Sequence, residues 1–109
     1  MAYADLKKSL EEYDWGNGSE GPEEILADAD CDLALALEIF YLTGGYEYLK
    51  GAAKKTKLQK WTKFVNDLYE DILNNKYPKT YEPFKIPLSS FQKFRLRIMG
   101  VPEIFLTDL

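Results

Sequence analysis

Apolar residues recur at spacings of three and four along most of this chain, the period of a helix with one buried face. Tyr3, Leu6, Leu10 and Tyr13 form the first stripe and predict a helix from about Ala2 to Glu12. The stripe stops at Asp14–Pro22, where three glycines, an asparagine and a serine make continued helix unfavourable. Trp15 stands inside that stretch and is expected to anchor the loop to the core. Pro22 suits the first position of a second helix, with Glu23 and Glu24 in the turn where the helix dipole favours anions. This helix is read as Pro22–Ala29, with Ile25 and Leu26 inward.

Leu33–Leu42 breaks the amphipathic pattern. Glu38 is its one charged residue, and the segment is apolar on nearly every side. Asp32 is placed to cap its start, and Gly44 or Gly45 to supply a left-handed end. Ten helical residues span about 15 Å, half a bilayer, so the segment reads as a central buried helix. Tyr46, Tyr48 and Leu49 then begin a short helical or extended piece, and Lys50–Lys57 a polar connection. From a cap at Thr56 to about Asn74, Leu58, Trp61, Phe64, Val65, Leu68, Ile72 and Leu73 keep the helical period closely. Three prolines make Asn74–Pro87 extended or looped. Ser89 and Gln92 have the spacing of a capping box. The helix they open is read to Met99, with Phe91, Phe94 and Ile98 inward. Gly100 ends it, and Pro102 begins one more turn. No run alternates with period two, and no internal repeat is visible. The expectation is a single all-α domain over residues 1–109. Four to five helices surround a central helix at about 33–42, with Trp15 and Trp61 as large core pieces.

Composition supports that reading. The chain has 109 residues, 46% of them hydrophobic and 15% aromatic, enough for one core without staples. Cys31 is the only cysteine and has no partner for an internal disulfide. No stretch has the apolar length of a signal peptide or a spanning helix, so a cytoplasmic location is expected.

Charge adds an asymmetry. Residues 1–48 hold twelve acidic and two basic residues, a net −10, and residues 49–109 hold twelve basic and six acidic, a net +6. Such halves either pair with each other or present surfaces of opposite sign. Mutual pairing is the simpler expectation. A basic row, Lys57, Lys60 and Lys63, lies on the long helix with Lys54 and Lys55 before it, and Lys93, Arg95 and Arg97 lie on the last helix. The overall charge of −4 and the pI near 4.8 argue against nucleic acid as a partner.

No reaction is written in the sequence. Asp28, Asp30 and Asp32 match the first three positions of a calcium loop. The sixth is then Leu33 instead of glycine and the twelfth Ile39 instead of a bidentate glutamate. Capping accounts for Asp32 without a metal. With no histidine and one cysteine, a zinc site is excluded, and Cys31 has no imidazole to activate it. The glycines around Gly18 lack the Gly-Lys-Ser/Thr end of a phosphate loop. Glu38 needs a partner or a raised pKa if it is buried. No cofactor and no catalytic residue is expected.

Tyr13, Trp15, Gly18, Pro22, Ile25, Cys31, Asp32, Ala36, Phe40, Gly45, Tyr46, Tyr48 and Leu49 together form a recognisable pattern. It resembles that of a small bacterial family, a domain of unknown function. Gly16 stands where that pattern has an acid, and Ala34 and Leu35 where Gly-Thr is common. The resemblance implies no activity. Its members look like the small immunity-type proteins that accompany bacterial toxins.

The functional expectation is a non-enzymatic bacterial binding protein, immunity- or antitoxin-like, that masks a basic toxin domain with an acidic surface. The partner-binding residues expected are Asp14, Glu20, Glu23, Glu24, Asp28 and Asp30. One competing expectation is a regulatory or scaffold module, homodimeric or not, that uses an exposed apolar patch around Tyr46, Tyr48 and Phe84. The other is a small hydrolase using Glu38 or the aspartate run.

Overall fold

Leu6 and Leu10 lie one turn apart on helix α1 (Tyr3–Glu11) and are fully buried, so this stripe fixes which side of the helix faces inward. The computed structural model describes residues 3–14, 18, 20–51, 59–80 and 82–109, the side chains of Gln59, Lys60 and Thr62 excepted. Trp15, Lys54, Lys55, Thr56, Lys57, Leu58 and the Lys60 side chain lie outside the described residues, and so do the expectations attached to them. After α1, the Tyr13 hydroxyl donates to the Gly18 carbonyl. Its ring lies so close to Gly21 that a Cβ there would overlap it. A glycine is therefore required where α1 meets α2.

Helix α2 (Glu20–Ala27) begins two residues before the expected start, which makes Pro22 its third residue. The first-turn N–H groups of a helix have no intrahelical acceptor, so a proline there loses no hydrogen bond. Pro22 and Ile25 are buried, and Glu20, Glu23 and Glu24 point to solvent.

Helix α3 (Leu33–Leu42) is the central element. Leu33 to Leu37, Ile39 and Phe40 are all buried. The Asp32 carboxylate accepts from the Leu35 N–H at 2.9 Å, the N-cap bond expected of it. It also accepts from the Thr80 hydroxyl. At the far end Gly44 is left-handed at φ +100°, and helix α4 (Gly45–Leu49) follows directly. Gly45 sits under the Phe40 ring, with no room for a side chain.

Helix α5 (Gln59–Leu73) packs against both α3 and α4 and buries Trp61, Val65, Leu68 and Ile72 along one stripe. The described residues of 74–88 then run without helix, although Tyr77 and Ile86 are buried within them. The capping box of helix α6 (Ser90–Ile98) is closed in both directions. The Gln92 N–H donates to Ser89 Oγ at 3.1 Å, and the Ser89 N–H to Gln92 Oε1 at 2.7 Å. The chain ends in a 3-10 turn, Glu103–Phe105, and Leu109 and Phe84 exchange backbone hydrogen bonds. The domain is all-α as expected. The described residues form six α-helices and the final turn, more than four or five because 45–49 closes into its own helix.

Phe91, Phe94 and Ile98 do not face inward, contrary to expectation. They are 68%, 57% and 70% exposed, and Leu96 is the buried residue of α6. The reason lies beyond the helix. Phe105 and Leu106 are fully buried, and the Phe105 ring stacks on Tyr69 at 4.8 Å beside Phe40 at 5.0 Å. The C-terminal segment thus fills the space an α6 aromatic would take. It also fixes the rotation of α6, through Lys93–Asp108 at 3.3 Å and Arg97–Glu103 at 2.7 Å.

Two substitutions test these contacts. Asp32→Ala removes the cap and leaves the buried Leu35 N–H without its acceptor, so it is expected to cost about 1–3 kcal/mol in urea unfolding. Calcium should leave the wild-type midpoint where it is, and a calcium-dependent rise would refute a purely capping role. Gly45→Ala forces a methyl group into the Phe40 ring and is expected to cost about 1–3 kcal/mol. An unchanged melting temperature would show that the α3–α4 corner yields to a methyl group and is not tightly packed.

Candidate functional site

Positions 20, 23 and 24 fall on one ridge of α2, opposite the buried Pro22 and Ile25. The packing of α2 on α1 therefore turns three carboxylates outward together. None of the three takes part in an ion pair among the described residues. The described pairs are Lys50–Glu47, Lys63–Asp67, Lys76–Asp71, Lys93–Asp108 and Arg97–Glu103. Lys50–Glu47 joins the two halves across three residues, and the other four pairs join charges within residues 49–109. In these described pairs each cation is taken up by an acid close to it in the chain or at its end.

The other three expected residues are placed differently. Asp14 is exposed just after α1. Asp28 and Asp30 lie in the turn between α2 and α3, beyond the far end of α2. Asp28 accepts the Asp30 N–H at 2.9 Å, and that bond holds its carboxyl below the usual carboxylate range. Asp30 is exposed. Asp28, Asp30 and Asp32 thus form a turn bond, a solvent-facing charge and a buried cap. Among the described residues no group of three or more histidine, cysteine or carboxylate side chains is placed to hold a metal ion.

A groove of about 210 Å³ runs between α2 and α5 beside the ridge. Leu26, Phe64, Leu68 and Tyr77 supply apolar wall, Glu23, Asp67 and Asp71 supply carboxylates, and Lys76 lines it as a cation paired with Asp71. Asp67 and Asp71 have lysine partners, whereas Glu23 has none among the described residues. The groove suits a long basic side chain, whose stem lies on apolar surface while its cation meets carboxylates.

The remaining titratable candidates are structural in their surroundings. Cys31 is buried, and burial, with the Asp32 charge next in importance, pushes its thiol up to about 12. A thiol held protonated is a poor nucleophile. Burial likewise raises the phenols of Tyr3 and Tyr41, and the Asp32 charge adds to the effect at Tyr3. Glu38 is half-buried. Burial pushes its carboxyl up, Lys7 opposes this, and Glu11 adds to it.

The apolar patch expected at Tyr46, Tyr48 and Phe84 is not an open surface. All three are half-buried against the core. Tyr48 packs on Tyr69 at 5.2 Å and donates to Asn66 Oδ1 at 2.6 Å. Exposed large apolar side chains gather instead on α6 and its C-cap, where Phe91, Phe94, Ile98 and Met99 are each more than half exposed; Leu42 of α3 is the other among the described residues. The sequence carried one signal of this. Leu96 points about 150° around the helix from the mean of that stripe, so the segment offers two apolar directions, and only one is buried.

The chain belongs to the family described as Domain of unknown function (DUF4274), whose profile matches residues 6–73. That span runs from within α1 to the last residue of α5 and leaves out α6 and the C-terminal segment. No curated protein and no solved structure matches the chain. Among the described residues no helix is long and apolar enough to cross a membrane.

The raised carboxyl of Glu38 has a consequence for stability. Between its unfolded and folded pKa values the native state binds the extra proton, so stability falls as pH rises through that window. Glu38→Gln is therefore expected to raise the melting temperature at pH 7 and to have no effect at about pH 4, near the unfolded value. A destabilised variant at pH 7 would mean that Lys7 outweighs burial.

Proposed function

We propose that this domain is a non-enzymatic binding protein of the immunity or antitoxin-like type. The acidic ridge of α2 meets a basic partner such as a bacterial toxin domain. The observation that carries the reading is that Glu20, Glu23 and Glu24 share one exposed helix face without an ion pair among the described residues. Like charges at spacings of three and four repel each other by some tenths of a kcal/mol per pair. Their placement in the first turns of α2 offsets that repulsion through the helix dipole, worth about 0.3–1 kcal/mol per anion.

A ridge of this kind acts mainly on encounter. It raises the association rate of a basic partner and disfavours acidic ones, while salt screens it over about 8–10 Å. The groove beside Glu23 then takes a lysine or arginine of the partner. Asp14, Asp28 and Asp30 extend the negative field without sharing the ridge.

The test begins with recovery of the partner from the native host and measurement of its binding kinetics at low and high salt. Glu23→Lys with Glu24→Lys is expected to lower the association rate roughly tenfold or more at low salt, with a smaller loss at high salt. Lys63→Glu, on the exposed side of α5, is expected to leave the rate unchanged or slightly faster. Loss of binding in the Lys63 variant alone would make the basic row the working surface and reject the proposal.

A further inference from the structure

Helix α6 is amphipathic in an unusual sense: its apolar stripe faces solvent. Phe91, Phe94 and Ile98 lie at spacings of three and four, and Met99 continues the same side. Four side chains more than half exposed amount to on the order of 400 Å² of apolar surface, taking about 200 Å² for a large side chain. That matches the largest patch of a typical monomer, about 300–600 Å², which is often functional. Within this surface stands a single cation. Arg95 follows Phe91 by one turn, lies with its guanidinium 6.0 Å from the Phe91 ring centre, and has no acidic partner among the described residues. Lys93 and Arg97, on the other side of the helix, are already paired with Asp108 and Glu103.

Arg95 also borders a groove of about 340 Å³ between α4 and α6, closed on its other side by Tyr46 and Lys50 and at its end by Met99. The Lys50 ammonium, itself paired with Glu47, sits over the Tyr46 ring at 4.6 Å. The groove therefore joins the apolar ridge on the side where the positive charge is.

We propose that the α6 face with this groove is a docking site for an amphipathic partner helix that sets a carboxylate among its apolar residues, opposite Arg95. Charge decides between occupants. A second copy of the chain packed symmetrically on this face would bring two Arg95 side chains toward one two-fold axis. Burial of such charges without counter-charges is strongly unfavourable. An anionic lipid surface is recognised by clusters of four to eight lysines and arginines, whereas this face offers Arg95 and Lys50 on a protein of net charge −4. A helix with a glutamate or aspartate in its apolar face satisfies both features. Its apolar residues cover Phe91, Phe94 and Ile98, and its carboxylate takes the bidentate bond that a guanidinium offers. Arginine and aromatic residues at the centre of an apolar patch are also the usual carriers of binding energy. The inference is independent of the acidic ridge of α2 and does not require that reading.

The experiment uses the full chain and two synthetic helical peptides, Leu- and Ile-rich on one face, with a single Glu or a single Lys set in that face. Binding is read by fluorescence anisotropy, alongside dynamic light scattering of the protein alone and sedimentation with phosphatidylserine vesicles. The Glu peptide is expected to bind in the micromolar range, with a preference of roughly tenfold or more over the Lys peptide. Arg95→Glu is expected to reverse that preference, and Phe94→Ser with Ile98→Ser to abolish binding of both peptides. These side chains are solvent-exposed, so thermal melts of the variants should match the wild type. No binding, equal binding of the two peptides, or a preference unchanged by Arg95→Glu would overturn the proposal. Self-association lost in the Phe94→Ser/Ile98→Ser variant would assign the face to a second copy. Vesicle binding without peptide binding would assign it to membrane. Either result would also overturn the proposal.

Discussion

A carboxylate removed from water must be surrounded by donors, and Asp32 is such a group, 1% exposed at the start of the most apolar helix. Its donors come from separate parts of the chain. The Leu35 N–H belongs to the first turn of α3, and the Thr80 hydroxyl to the irregular segment after α5. The neighbouring Leu33 N–H donates to the Pro78 carbonyl at 2.9 Å, which fastens the same segment a second time. The Tyr3 phenol, at the start of α1, feels the Asp32 charge. One buried side chain thus sets the start of α3, and with it the position of a cylinder that has almost no polar side to orient it.

What covers that cylinder follows from its apolarity. A helix buried on nearly all sides needs neighbours on nearly all sides. α5 and α4 supply two of them, and Phe105 lies against Phe40 to supply a third. The family match ends with α5, yet the core does not. Phe105 and Leu106 are as deeply buried as the α3 residues, and Tyr41 donates to the Phe105 carbonyl. The C-terminal segment is therefore a structural part of this domain. Its entry into the core is what leaves α6 outside, held through Leu96 and two ion pairs.

Much of this was legible in the sequence, and the boundary is physical. α3 was readable because a ten-residue segment with one charge is long for a buried strand and too short to span a bilayer. The cap at Asp32, the left-handed Gly44 and the Ser89–Gln92 box were readable because each satisfies local backbone groups. The orientation of α6 was not. Periodicity shows that Phe91, Phe94 and Ile98 share a face, but whether that face is inside depends on what else competes for the core. The competitor, Phe105, lies beyond a glycine and a proline in a segment with no stripe of its own. The acidic residues were legible as charge only. Glu23 and Asp28 look alike in sequence, but one lies on an open ridge and the other accepts a bond within a turn.

The two surfaces differ in the kind of interaction each offers. A ridge of carboxylates on α2 has little apolar area of its own beyond the groove beside Glu23. Under the function proposed above, its contribution is to encounter rate and to rejection of like-charged partners. The α6 face has apolar area with a cation set in it, the combination that slows dissociation once contact is made. Fast encounter without anchoring gives a short-lived complex, and anchoring without steering gives slow association. A partner that engages only α2 is therefore expected to be highly salt-sensitive, and one that engages only α6 nearly salt-insensitive apart from its bond to Arg95. The carboxylate ridge of α2 lies within the span that the family profile matches, and the α6 face lies outside it.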